Sequence, residues 1–272
     1  LQNISLERLR ISGLLENEDH DIQYIVIDQF DDMFTDSLTI INKRKVIGVS
    51  LEGIKISRLG TLCWLNISFN YTVIMFDILK LQEKSFNHGL KDILQNPAIV
   101  KVFHNCRLVA DCLKHQYDII MKNVFDTQVA DIFLFYQQER CFPRYLNSLP
   151  GCLHNKLEIP ADKLFFPAHR RGFREEDESV WQIRPLPEPL VKGAILNVIH
   201  LCRLRAYFLQ GLLSNLEVAT DVYLSSVKDE QNPKEVERLQ HKLHELPRNF
   251  SSFFPDPHYV SKGSVHHFRS TS

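Results

Sequence analysis

Apolar and polar residues alternate with changing periods along the chain, and each change of period predicts an element. Four β-rich runs come first: IQYIVID (22–28), KVIGVSLEG (45–53), LGTLCWLNIS (59–68) and YTVIMFDI (71–78). Their branched and aromatic residues suit a pleated surface, and the short breaks between the last three predict a meander of hairpins. Asp28 is expected to cap a helix running through FDDMFTDSLTII (30–41). From residue 83 the texture changes. EKSFNHGLKDILQN (83–96) reads as a helix ending near Pro97, IVKVFHN (99–105) as a short buried strand and RLVADCLKHQY (107–117) as a helix. NVFD (123–126) follows as a short strand and TQVADIFLFYQQ (127–138) as a helix. Antiparallel strands followed by alternating helix and strand predict an α/β domain, with a mixed sheet of about five strands flanked by helices.

The flanks carry weaker patterns. ISLERLRISGLL (4–15) is amphipathic and ENEDH (16–20) acidic, which predicts a connector over residues 1–20 from a domain preceding Leu1. Residues 144–180 read as mostly irregular and polar, with HRRGFREEDE (169–178) as the densest charge run. WQIRPLPEPLVKGAILNVIHLCRLRAYFLQGLL (181–213) opens as a proline-rich turn and continues as one long helix. NPKEVERLQHKLHELP (232–247) reads as a last helix, stopped by Pro247, and residues 248–272 as a tail. The expected organisation is therefore a connector (1–20), an α/β domain (21–205), and a helical C-terminal extension with its tail (206–272).

Composition narrows the function classes. A net charge of -1 leaves no bulk positive field, so any nucleic-acid binding has to come from a local patch. No apolar run reaches the roughly 20 residues of a membrane helix. The 6 cysteines form no CxxC pair and several sit in apolar periodic runs, which predicts buried free thiols in a reducing, intracellular compartment. The 12 histidines show no HExxH spacing.

The candidate chemistry lies at VIGVSLEG (46–53). Phosphodiester hydrolysis commonly uses two divalent ions about 4 Å apart, held by carboxylates that converge from several elements. A strand ending in carboxylate-x-carboxylate is a natural start for such a cage, and here Ser50 stands two residues before Glu52. Four strings in order resemble the DEDD family of 3′–5′ exonucleases in its RNase D-like branch. VIGVSLEG resembles the first motif, KVFHNCRLVADCLKHQYDI (101–119) the second, NVFDTQVAD (123–131) the stretch after it, and WQIRPLPEPLVKGAILNVIHL (181–201) the third. The resemblance covers roughly residues 22–205 and implies an RNase H-like fold. SLEG, FHNCR and VFDTQVAD resemble most the members of that family that act in the piRNA pathway.

Carried over position by position, the resemblance implies a degenerate catalytic set. Ser50 occupies the first aspartate position, while Glu52 is kept. Val109 occupies the aspartate position of the second motif, and Gly193 and Asn197 the tyrosine and aspartate positions of the third. Asp111 lies two residues from Val109, about 200° around a helix, and is not a substitute. Asp77 and Asp126 suit capping or turn roles. Glu52 is expected to accept hydrogen bonds from Ser50 and Asn197, or to hold one weak metal ion. No Mg²⁺ or Mn²⁺ cofactor is expected, and no catalysis.

A groove that has lost carboxylates repels a polyanion less. The RNA-contact candidates are Lys101, His104 and Arg107 beside the old site, and His169, Arg170, Arg171, Phe173 and Arg174 in the basic loop. For Arg184 a structural role is expected. The resemblance implies a non-catalytic adaptor for single-stranded RNA such as piRNA precursors or intermediates. It also implies a homodimer working with Tudor-domain proteins in cytoplasmic, perinuclear or mitochondria-associated RNA granules. An active exonuclease with a rearranged metal set and a protein scaffold without RNA affinity are the alternatives.

Overall fold

The computed structural model of the chain describes residues 7–9, 22–164 and 177–240. The chain divides into two compact units, Leu1–Gly211 and Leu212–Ser272. The first unit holds a seven-stranded mixed sheet in the order β1-β2-β5-β4-β3-β6-β7. Its strands are β1 (Glu7–Leu9), β2 (Ile22–Ile27), β3 (Val46–Ile54), β4 (Thr61–Phe69), β5 (Thr72–Asp77), β6 (Val100–Phe103) and β7 (Val124–Asp126). β3, β4 and β5 form the expected antiparallel meander. β2 runs parallel to β5, and β6 and β7 extend the other side in parallel. The sheet is wider than about five strands because the short strand expected at NVFD pairs as β7, and β1, from within the stretch read as connector, adds the other edge.

The helices of this unit are α1 (Asp32–Asn42), α2 (Ile78–Leu81), α3 (Lys91–Gln95), α4 (Arg107–Tyr117), α5 (Thr127–Glu139), α6 (Leu149–Leu157), α7 (Ala161–Leu164) and α8 (Glu188–Ile199). The N-cap of α1 is Asp31, whose carboxylate accepts from Phe34 N at 3.0 Å. Asp28 instead pairs with Lys80 at 2.6 Å, because the chain bends for three more residues before helical geometry begins. Residues 144–180 are less irregular than their composition suggests. Ser148 caps α6 through Gly151 N with Pro150 in the first turn, and a short 3₁₀ turn forms over Glu178–Gln182. The long helix expected after the proline-rich turn is interrupted at His200. There α8 ends and α9 (Leu201–Lys228) begins. The second unit holds the C-terminal part of α9 and α10 (Pro233–Gln240). The continuation expected to Pro247 and the tail lie outside the described residues.

Period-two geometry in β3 sorts its side chains to two cores. Ile47, Val49 and Leu51 join a cluster with Phe34, Phe86 and Leu113 beneath α1, α3 and α4. The alternate residues Gly48, Ser50 and Glu52 face the side covered by α8, where Trp64, Trp181, Leu190 and Ile195 form the second cluster. α8 sits very close to the sheet at Gly48. A β-carbon there would lie 2.5 Å from Ser68 Oγ and 2.8 Å from the Val198 carbonyl. Ser68 Oγ donates to that same carbonyl at 2.8 Å, fixing the helix against β4. This tight seating sets where Asn197, the next residue back, meets the sheet.

Candidate functional site

Ser50 and Glu52 point the same way from β3, and Asn66 stands opposite Ser50 in the β4 register. Asn66 Nδ2 donates to Ser50 Oγ at 3.2 Å, and Ser50 Oγ lies 3.4 Å from Glu52 Oε1, which it reaches as a donor. Asn197 Nδ2 reaches the same Oε1 from α8 at 3.0 Å. Glu52 is thus buried, with its Oε1 in a short hydrogen-bonded chain, Asn66–Ser50–Glu52–Asn197. A register shift follows Glu52, so the strand bends away just beyond the carboxylate. Gly193 lies buried one turn before Asn197 on α8.

These groups form one wall of a groove of about 640 Å³, whose lining includes Ser50, Glu52, His104, Val109, Trp181 and Asn197. Val109 faces the groove from α4 while packing against the first core cluster. Asp111 is turned away, where its carboxylate binds the Arg58 guanidinium and accepts from Arg58 N at 2.6 Å. The hydrogen bond from Arg58 holds the Asp111 carboxyl below the usual carboxylate range. Together with Gln116, which donates to the Ser57 and Gly60 carbonyls, this contact pins the β3–β4 turn along the groove rim. The other carboxylate of the lining, Glu178, accepts from Lys55 N.

At the far wall Asp126 joins three segments. Its oxygens accept from Asn105 N at 3.0 Å, Cys106 N at 2.7 Å and Gln128 N at 2.8 Å, securing the start of α4 and capping α5. Burial works against the Asp126 carboxylate, but these backbone donors prevail and its pKa is lowered. His104 bridges Thr127 Oγ1 at 2.9 Å and the Asn147 carbonyl at 3.2 Å, and burial pushes its pKa down. Arg107 is exposed beside the groove, held to Asn105 Oδ1 at 2.9 Å.

Among the sequence candidates, Ser50, Glu52, Val109, Asn197 and His104 line this groove, with Arg107 near it. Lys101 does not belong to it. Its side chain is fully buried and donates to the Asn96 and Ile99 carbonyls at 2.6 and 2.8 Å. Strand alternation turns Lys101 inward, and desolvation pushes its pKa down to about 8. His169, Arg170, Arg171, Phe173 and Arg174 lie outside the described residues. Asp77 and Arg184 are structural, as the sequence suggested. Asp77 caps α2 and receives Arg184, whose guanidinium also donates to the Trp181 and Ile183 carbonyls and lies 4.1 Å over the Trp64 ring. Asn66, Trp181 and Glu178 were missed as site residues. Only the alternation of LGTLCWLNIS, which puts Asn66 across from Ser50, carries a signal for any of them.

Magnesium takes oxygen ligands in near-octahedral geometry, and a pair of ions needs several carboxylates. Here one carboxylate meets a carboxamide, a hydroxyl and a valine, and the second carboxylate is committed to the Lys55 amide. This donor set does not fit two divalent ions. Among the described residues no group of three or more His, Cys, Asp or Glu is arranged to hold one.

The site is thus a groove beside a mixed sheet covered by helices. A family model described as 3′–5′ exonuclease matches residues 25–212, and the chain belongs to that family. Among its relatives is piRNA biogenesis protein EXD1 of Mus musculus, 38% identical over 214 residues, covering 78% of this chain and 38% of that protein. The Homo sapiens protein of the same name is 36% identical over 214 residues, covering 78% of this chain and 42% of that one. The chain therefore spans about two-fifths of the length of these relatives. Trypanosoma brucei RNase D, solved with GMP, superposes with a TM-score of 0.61 at 20% identity over 75% of this chain and 63% of its own. Escherichia coli RNase D superposes with a TM-score of 0.56 at 16% identity, covering 82% of this chain and 51% of that one. The fold is the RNase H-like exonuclease fold with a helical C-terminal extension.

Proposed function

We propose that this chain is a non-catalytic, RNA-binding member of the 3′–5′ exonuclease family. The observation that carries the reading is the state of Glu52: its Oε1 is satisfied by Asn197 Nδ2 and Ser50 Oγ, and the same lining holds Val109, at the position to which the family resemblance assigns an aspartate. Such an oxygen is built into a hydrogen-bonded network with a carboxamide and a hydroxyl rather than held ready for cations. The same replacements suit a polyanion. A carboxylate about 4 Å from a phosphate costs about 4 kcal/mol at an effective dielectric of about 20, and no cation is needed to offset charges that are gone. Lys55 on the lining and Arg107 beside it supply positive contacts for a backbone, while both ring nitrogens of His104 are already engaged.

The names of the relatives, piRNA biogenesis proteins, support a place in small-RNA silencing, with single-stranded piRNA precursors or intermediates as the bound species. Homodimerisation, Tudor-domain partners and residence in cytoplasmic RNA granules belong to the same proposal and rest on the family resemblance. The test is incubation of end-labelled single-stranded RNA with the chain and Mn²⁺. The expected outcome is a stable complex with intact 3′ ends. Trimming that disappears in Glu52→Gln overturns the proposal in favour of an active enzyme, and absence of binding at about 50 mM salt overturns it in favour of a scaffold.

A further inference from the structure

The segment joining α5 to α6 reads R-C-F-P-R-Y over residues 140–145, alternating arginines with aromatic side chains. Phe142 and Tyr145 are 65% and 75% exposed, well beyond what scattered surface aromatics need for anchoring. They are not loose. Tyr136, at the end of α5, stacks on Phe142 with ring centroids 4.7 Å apart and planes 20° from parallel. The Arg144 guanidinium lies over the Tyr145 ring at 5.2 Å. Neither Arg140 nor Arg144 makes an ion pair with any described residue, and Glu139 is the sole carboxylate in the stretch 136–147. The segment also has a fixed attachment. Asn147 Nδ2 donates to the buried Asp131 carboxylate at 2.7 Å, and its carbonyl accepts from Gln128 Nε2 at 2.9 Å.

That attachment places the segment at the groove. The same Asn147 carbonyl is held by His104, and His104 and Leu149 both line the cavity. Tyr145 is two residues from this anchor, within about 7 Å along an extended chain, and Phe142 within about 18 Å. We propose that Phe142 and Tyr145, flanked by Arg140 and Arg144, form a stacking platform that receives bases of single-stranded RNA as the strand leaves the groove. Exposed rings offer π-faces to any base, and the unpaired guanidiniums meet the phosphates between them, a combination suited to binding without sequence readout. A protein partner would more naturally meet an uninterrupted apolar face. Here Arg144 lies over Tyr145 and Arg140 is two residues from Phe142 in the chain, so charge complementarity favours the polyanion.

The inference rests on the RNA-binding reading, and the experiment separates the two. Fluorescence anisotropy with labelled oligouridine is measured for the chain, for Phe142→Ala/Tyr145→Ala and for Arg140→Gln/Arg144→Gln, with an abasic oligomer of equal length as a second probe. Because the substituted side chains are largely exposed, unchanged melting temperatures are expected in both variants. The aromatic variant should bind oligouridine at least about fivefold more weakly, with the salt slope unchanged, since each stacked base lost weakens binding about fivefold to a hundredfold. It should bind the abasic probe as the parent chain does. The arginine variant should lower the slope of log K against log salt by about 1.4, two single-strand phosphate contacts. An aromatic variant that binds oligouridine as tightly as the parent overturns the platform and leaves the RNA-binding reading standing. Equal weakening on both probes also overturns the platform, because bases are then not what the rings contact. A parent chain that binds neither probe overturns both readings.

Discussion

Glu52 and Asn197 sit 3.0 Å apart, and that distance makes the site sensitive to a single charge. Asn197→Asp places a second carboxylate against Oε1, so one of the pair has to hold a proton or the two repel. The expected outcome is a loss of about 2 kcal/mol in urea unfolding at pH 7, a pKa shift of one to two units on one partner, recovered in acid. Unchanged stability at pH 7 would contradict the tight network. His200 gives a separate pH signature. It is buried at the break between α8 and α9, its Nε2 has no partner among the described residues, and burial, with Arg203 adding to it, lowers its pKa to about 4. Between pH 6.5 and 4 the unfolded chain binds this proton and the folded chain does not, so stability falls as pH drops through that window. Unfolding as a function of pH should show up to about 3 kcal/mol of loss that His200→Phe removes. At this scale the sequence told much about Glu52, because strand alternation and the i,i+4 spacing of Gly193 and Asn197 fix directions. It misled about Lys101, whose positive charge suggested solvent while alternation and two carbonyls drew it inside.

Elements position the site through a few contacts between distant segments. Asp77 at the end of β5 and Arg184 before α8 form a nearly buried pair that ties the proline-rich turn to the sheet, with the guanidinium stacked on Trp64. Asp77→Ala strands that guanidinium and is expected to cost about 3–5 kcal/mol in chemical denaturation, whereas a surface pair would cost under about 1. Gly48→Val tests the seating of α8 on β3. With the Val198 carbonyl 2.8 Å from a new β-carbon, overpacking should cost about 1–3 kcal/mol and separate Asn197 from Glu52. The meander, the alternating strands and helices, and α4 and α5 were legible because their periods are clean. The helix at Leu149–Leu157 was hidden by a polar, proline-containing start that works as a cap and first turn. The interruption at His200 was hidden because apolar spacing continues across it. The pairing of β1 was hidden because a strand of 3 residues is too short to show a period of its own.

At the scale of the molecule, the proposal is that a groove in which Glu52 Oε1 meets Asn197 and Ser50, within the exonuclease fold, grips RNA without cutting it. Binding then depends on phosphate contacts, and affinity for single-stranded RNA should fall linearly in log K against log salt, read by anisotropy across a salt series. The central claim is that this groove does not take up the divalent ions that cleavage needs. Isothermal titration of Mn²⁺ into the chain and into Glu52→Gln addresses it most directly. The account predicts matching, featureless titrations for the two proteins. Saturable uptake of two ions by the parent chain, abolished by Glu52→Gln, would contradict it.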